Sequence, residues 1–275
     1  MSWWEAAILG LVQGLTEFLP VSSSGHLVLG KHILGVETDP GYGIIFEVLV
    51  HFGTAMSIVV VYRIELIRLM VGFFTAAVRP SRYSTSWEEN DDFRTSIYIL
   101  FTMIPTGIVY VLFKDRLEAL FSDPRATATM LIGTGILLLL TRLRKNPDGP
   151  MNPVKSLAIG LAQAFAMIPG ISRSGSTICT AIYLNVEPRR AADFSFLMLL
   201  PVVLGATILK IGNFLSATSS NGYSEALGPL ILGTFVAFVS GILAIKIVLR
   251  FIREGRLHFF AFYCFAAGGV GLILL

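Results

Sequence analysis

The chain's 275 residues are 54% hydrophobic and only 14% charged, with a formal net charge of +3. A soluble domain carries about a quarter charged residues, so this composition excludes a soluble globular protein and points to an all-α polytopic membrane protein. Nucleic acid is excluded as a partner, because the basic residues lie between apolar runs and form no basic domain.

In chain order, residues 3–19 are apolar and predicted helical until Pro20 and the run Ser22-Ser23-Ser24-Gly25 break the helix. This segment lacks a basic leader and holds Glu5 and Glu17, so it is expected to be retained rather than cleaved. A second short helix is predicted from about Leu27 to Leu34. Neither piece reaches the ~20 residues needed to cross a bilayer. Together they read as a re-entrant helix–loop–helix hairpin, whose irregular backbone must be shielded by protein or line a wet cavity. Ile44–Tyr62 is a predicted span, with Glu47 and His51 one turn apart inside it. A structural hydrogen bond between these two is favoured over a metal pair. Leu66–Val78 is shorter and expected at the interface, and the polar residues 79–94 are expected to form a loop. Thr95–Phe113 is a span with Pro105 as a tolerated kink, Ala126–Thr141 is another, and Arg142–Lys155 links two halves.

The second half repeats the plan. Ser156–Ile168 and about Thr177–Leu184 flank P-G-I-S-R-S-G-S as a second re-entrant pair, and Ala191–Ile211, Ala226–Leu249 and Leu257–Leu275 are predicted spans. A shift of 150 positions superposes Gly10 on Gly160, Leu11 on Leu161, Gln13 on Gln163, Ser22 on Ser172, Ser24 on Ser174 and Gly25 on Gly175. The expected architecture is therefore one integral membrane domain, 1–275, with internal repeats over about 1–145 and 150–275. It comprises six transmembrane helices plus two re-entrant hairpins. Three spans separate the hairpins, and an odd number makes them enter from opposite faces. That is an inverted-topology repeat, with its two polar loops meeting near the midplane. Arginines and a lysine cluster between spans, at Arg142, Arg144 and Lys145, at Arg189 and Arg190, and at Arg250, Arg253 and Arg256. Such flanks are retained on the cytoplasmic side and face anionic headgroups, so membrane lipids are expected partners. Cys179 and Cys264 are isolated in apolar runs and read as packing residues.

The two loops pool Glu17, Ser22, Ser23, Ser24 and His26 with Ser172, Arg173, Ser174, Ser176 and Thr177. An arginine at membrane depth costs at least ~2.5 kcal/mol on insertion scales, which calls for a partner. Its planar fork suits anionic oxygens, and short hydroxyl residues and glycines ahead of a helix leave N–H groups for the same anion. The set reads as a phosphate cradle made of Ser22, Ser24, Ser172, Arg173, Ser174 and Thr177. For chemistry, a serine or a water attacks phosphorus, relieved of its proton by His26 or Glu17, while Arg173 offsets the developing charge. Inverted repeats with broken helices also build carriers, so a transporter moving a lipid phosphate is the alternative reading.

The stretches Q-G-L-T-E-F-L-P-V-S-S-S-G-H at Gln13–His26 and P-G-I-S-R-S-G-S-T at Pro169–Thr177 resemble the two signature motifs of the bacterial undecaprenyl-diphosphate phosphatase family, the bacitracin-resistance proteins. The likeness extends to F-E-V at Phe46–Val48 and D-F-S-F-L at Asp193–Leu197. It implies hydrolysis of a C55 polyprenyl diphosphate to the monophosphate carrier, at a site reached from outside the bacterial inner membrane. The resemblance further implies a divalent cation, Mg or Ca. The family's functional residues fall here on Glu17, Ser23, His26, Ser172, Arg173 and Thr177. Its acidic pair falls on Gln13 and Glu17, which leaves Glu17, with Gln13, as the implied metal ligand.

Overall fold

The computed structural model describes residues 1–36, 40–78, 83–121, 123–144, 146–208 and 227–274. Regular structure among the described residues is helical, apart from one isolated bridge between Gly149 and Val186. A capping box starts α1 (Trp3–Phe18), in which Ser2 and Glu5 satisfy each other's backbone N–H groups. Pro20 prevents the helix from continuing.

The helices that follow the two serine-rich runs begin earlier than their apolar character suggests. α2 spans Ser23–Leu34 and, in the second half, α9 spans Arg173–Tyr183. Ser22 and Ser172 act as N-caps, their hydroxyls accepting from the N–H groups of Gly25 and Gly175. The serines expected in loops are therefore caps and first-turn residues.

α3 (Pro40–Val61) leads into α4 (Arg63–Val78). The expected polar loop over 79–94 is corrected in part. Residues 79–82 lie outside the described residues, but Tyr83–Glu89 form α5, and α6 (Asp91–Leu120) starts at Asp91. Asn90 explains the early start, since its side chain accepts from the Phe93 N–H at 3.0 Å while Asp91 and Asp92 favour the positive end of the helix. Trp87 of α5 packs edge-on against Phe93 and Tyr98 of α6, which anchors the short helix.

α7 (Pro124–Leu140), α8 (Pro153–Phe165), α10 (Pro188–Leu197), α11 (Leu227–Arg253) and α12 (Phe259–Leu274) complete the chain. Among the described residues, five helical stretches are long and apolar enough to cross a membrane: Gly41–Val61, Asp91–Leu117, Pro124–Leu143, Pro188–Ile208 and Leu227–Arg253. α12, expected as a sixth, is a shorter apolar helix of 16 residues. The expected spans Ala191–Ile211 and Ala226–Leu249 overlap the last two, with residues 209–211 and 226 outside the described residues. Large apolar side chains such as Val111, Ile231 and Phe235 stand exposed around the bundle, as lipid-facing residues do. The protein is a polytopic membrane protein.

Close helix pairs show how the elements run. Gly10 of α1 lies against Gly233 of α11, and Gly14 against Ala237 and Ser240, so both helices run the same way. Phe46 of α3 covers Gly233, and the Ser57 hydroxyl donates to the Phe238 carbonyl at 2.7 Å, so α3 is parallel to α11 as well. Gly160 of α8 sits on Thr102 of α6, and Gln163 Nε2 donates to Thr106 at 3.0 Å. α7 and α12 are antiparallel, with Gly135 against Ala261 and Gly268 against Ala128. Helices of the first half thus pair with helices of the second. Gly10 and Gly160, equivalent across the 150-residue shift, are points of very close approach, where any side chain would strike backbone.

Gly10→Ala and Gly160→Ala should each destabilise the protein by about 1–3 kcal/mol through overpacking, lowering the thermal midpoint in detergent. Gly107→Ala and Gly133→Ala, whose new methyl groups would meet open space, should leave it unchanged or slightly higher.

Candidate active site

The α1–α2 turn and the α8–α9 turn touch. Gly25 lies against the backbone of Gly170, Gly175 against Pro20, and the Ser174 hydroxyl donates to the Leu19 carbonyl at 3.2 Å. Each turn is also pinned from a spanning helix or from α12. Thr134 of α7 donates to the Gly170 carbonyl and accepts from the Ser172 N–H, both at 2.9 Å, while the Cys264 thiol of α12 meets the Pro20 carbonyl at 3.7 Å. Gly170 has φ +90°, a conformation open to glycine, whereas Ser22 takes φ 67° despite its Cβ. Backbone strain of that kind persists only where surroundings over-determine it, and it clusters at functional sites.

Glu17 and Arg173 meet across this junction. Arg173 Nη2 donates to Glu17 Oε1 at 2.9 Å, and Nη1 donates to the Ser195 carbonyl at 2.9 Å. The second carboxylate oxygen, Oε2, accepts from the Ser23 hydroxyl at 2.7 Å and from Gln13 Nε2 at 2.9 Å. His51 Nε2 stands 3.6 Å from that same oxygen. The Glu17 side chain is 6% exposed and that of Arg173 15%, so each is the other's principal charge compensation in a low-dielectric setting. Two of the guanidinium's N–H donors are engaged, and the rest of its five have no protein partner among the described residues.

The other expected site residues fall into a different pattern. Ser22 and Ser24 hydroxyls face each other at 3.3 Å, as do Ser172 and Ser174 at 3.2 Å, the same arrangement 150 positions apart. Thr177 is buried, donating to backbone of α9 and meeting the Ser195 hydroxyl at 2.6 Å. These five hydroxyls hold the turns in shape, whereas Ser23 is joined to Glu17. His26 is turned away from Glu17: its Nδ1 meets the Ser22 carbonyl and its Nε2 the Tyr263 hydroxyl, both at 2.8 Å, with the two rings stacked. Gln13 is buried, and its Oε1 has no hydrogen-bond partner among the described residues.

Sequence reasoning missed His51, Ser195 and Tyr263 as neighbours of these groups. The structural hydrogen bond expected between His51 and Glu47 is present, made by His51 Nδ1 with the Glu47 backbone carbonyl at 2.7 Å, while the Glu47 carboxylate pairs with Lys31 at 2.5 Å. The available signal was an imidazole in the middle of an otherwise apolar span.

A family model described as "Bacitracin resistance protein BacA" matches residues 6–270. The chain belongs to the BacA family. A BacA relative from Salinibacter ruber, named undecaprenyl-diphosphatase, is 53% identical over 275 residues, covering the whole of both chains. Proteins of the same name from Christiangramia forsetii and Bacteroides fragilis are 38% and 40% identical, covering 99% and 100% of this chain and 98% of each relative. The BacA assignment covers both turns and every residue around Glu17.

Because the buried pair is mutual, Glu17→Gln and Arg173→Gln should each cost about 3–5 kcal/mol. The double variant should cost clearly less than the sum, which heat-unfolding of the four proteins in one detergent would measure.

Proposed function

We propose that this chain is a membrane-embedded undecaprenyl-diphosphate phosphatase of the bacterial inner membrane, cleaving the phosphoanhydride of a polyprenyl diphosphate. The observation that carries it is the Ser23–Glu17–Arg173 arrangement, with the Ser23 hydroxyl 2.7 Å from one carboxylate oxygen and Arg173 2.9 Å from the other. The shared name of the three relatives supports the same substrate. The alternative reading, a carrier of lipid phosphate, has no support.

The chemistry follows from the groups present. A hydroxyl, from Ser23 or from a water that it positions, attacks the terminal phosphorus. A new P–O bond forms, and the bond to the bridging oxygen breaks; where Ser23 is the attacker, a water then displaces its oxygen from phosphorus, which frees inorganic phosphate and restores the hydroxyl. The lipid monophosphate departs and needs no protonation, since it is a stable anion. Glu17 Oε2 takes the attacking proton. His51 is fixed through Nδ1 on a backbone carbonyl, and it presents Nε2 3.6 Å away to carry that proton onward. The open N–H donors of Arg173 stabilise charge on the phosphoryl oxygens. His26, with both nitrogens engaged, positions the first turn of α2 and the Tyr263 hydroxyl.

The donor set suits a hard divalent cation such as Mg or Ca. Glu17 brings a carboxylate and Gln13 a buried amide oxygen with no partner, and Mg commonly binds one or two carboxylates plus substrate phosphates. When bound, such an ion neutralises diphosphate charge. Glu17 and Gln13 would hold it.

Topology supports delivery of a lipid. α1 and α3 run parallel to α11, α8 runs parallel to α6, and α7 is antiparallel to α12. These directions fit two re-entrant hairpins entering from opposite faces, six crossings and an inverted repeat. α4, between α3 and α6, is 16 residues long, and the count of three crossings between hairpins needs it to lie at one face. The polyprenyl tail stays among the exposed apolar side chains while its headgroup reaches Arg173.

Purified protein should release phosphate from polyprenyl diphosphate, and Arg173→Ala should lower the rate by about 10²–10³-fold. Undiminished release by that variant would sink the assignment. His51→Gln should reduce kcat by about 10²-fold in the same phosphate-release assay. Chelation should stop turnover, and Gln13→Ala should raise the Mg concentration needed to restore it.

A further inference from the structure

A cleft of about 740 Å³ lies at the end of α9 remote from Arg173. Ile182 lines it, nine residues along the helix from Arg173, or roughly 13 Å at 1.5 Å per residue. Here α7 and α11 end while α10 and α12 begin, so the cleft sits among the termini of apolar helices at one face of the membrane. Its rim carries Arg142, Arg144, Arg189, Arg253 and His258. Its floor is apolar, built from the buried side chains of Ile182, Ile252 and Leu257.

Of the nearby acids, Glu187 lines the cleft and keeps its charge, Asp148 accepts from the Asn185 side chain at 3.5 Å, and Asp193 and Glu254 are held by arginines. Glu187 caps α10, accepting from the N–H groups of Arg189 and Arg190 at 3.0 and 2.9 Å. Asp193 holds the Arg189 guanidinium at 3.1 Å and the Tyr62 hydroxyl at 2.7 Å. Glu254 is bound by Arg250 and Arg256, each at 2.9 Å. Arg142, Arg144 and Arg253 have no ion-pair or side-chain hydrogen-bond partner among the described residues. Three uncompensated guanidinium groups around one concavity repel one another, and low-dielectric walls focus their field into it. A topological excess of arginine requires neither a concave site nor an apolar floor.

We propose that this cleft binds the headgroup of an anionic phospholipid. The phosphate takes the planar N–H forks of Arg142, Arg144 and Arg253. The glycerol and first acyl carbons lie on Ile182, Ile252 and Leu257. Free phosphate shares the first interaction and lacks the second, which is why the occupant is a lipid. The site is separate from the Glu17–Arg173 junction and holds whether or not that junction hydrolyses diphosphates.

The full chain, delipidated in detergent, is titrated with phosphatidylglycerol, with phosphatidylcholine and with inorganic phosphate, and bound lipid is counted by native mass spectrometry. Phosphatidylglycerol should bind in preference to the other two. Arg144→Gln should weaken it about fivefold, and the Arg142→Gln/Arg144→Gln/Arg253→Gln protein on the order of a hundredfold. Arg116→Gln, near the end of α6, should change nothing. Wild-type affinity in the triple variant, or equal losses from Arg116→Gln and Arg144→Gln, overturns the site. Inorganic phosphate binding as well as the lipid overturns the choice of occupant.

Discussion

The contact between Glu17 and Arg173 governs the rest of the molecule. Neither charge is tolerable alone when buried, and 156 residues separate them in sequence. Their pairing obliges the turn after α1 and the turn before α9 to meet. Everything else at the junction, including the glycines that let the backbones touch and the hydroxyl caps that free α2 and α9 to start early, serves that meeting. The pair also sets the chemistry, since one carboxylate oxygen faces the guanidinium and leaves the other for Ser23, Gln13 and His51.

Much of this was legible because repeated constraints leave repeated letters. Gly10 and Gly160 match since both sit where a helix meets a backbone from the other half. Ser22 and Ser172, with Gly25 and Gly175, match since both turns need the same cap. Arg173 in an apolar stretch demands an acid, and Glu17 stands beside the other serine-rich turn. Local signals misled elsewhere. The charged run before α6 looks like loop, yet Asn90 and the two aspartates after it suit a helix start. The serines look like free ligands, yet most face one another. The long-range partners of the two histidines were not legible. His51 meets a carboxylate on another helix, and His26 meets a tyrosine 237 residues away. Only packing decides such pairs.

The two regions rich in cation-binding or anion-binding groups differ in kind. At the junction, one arginine is buried and matched by one acid, which gives a site of fixed geometry. At the far end of α9, several arginines are exposed and unmatched over an apolar floor, which gives a site of high field and loose geometry. The first suits a reaction and the second suits a lipid that comes and goes.

The exchange of partners between the halves bears on how the protein is made. α1 packs on α11, a helix synthesised more than two hundred residues later, and Glu17 waits for Arg173 through most of translation. Until the α8–α9 turn has been made, Glu17 lacks the arginine that offsets its charge. A chain that stops short of Arg173 therefore cannot form the contact on which the junction depends.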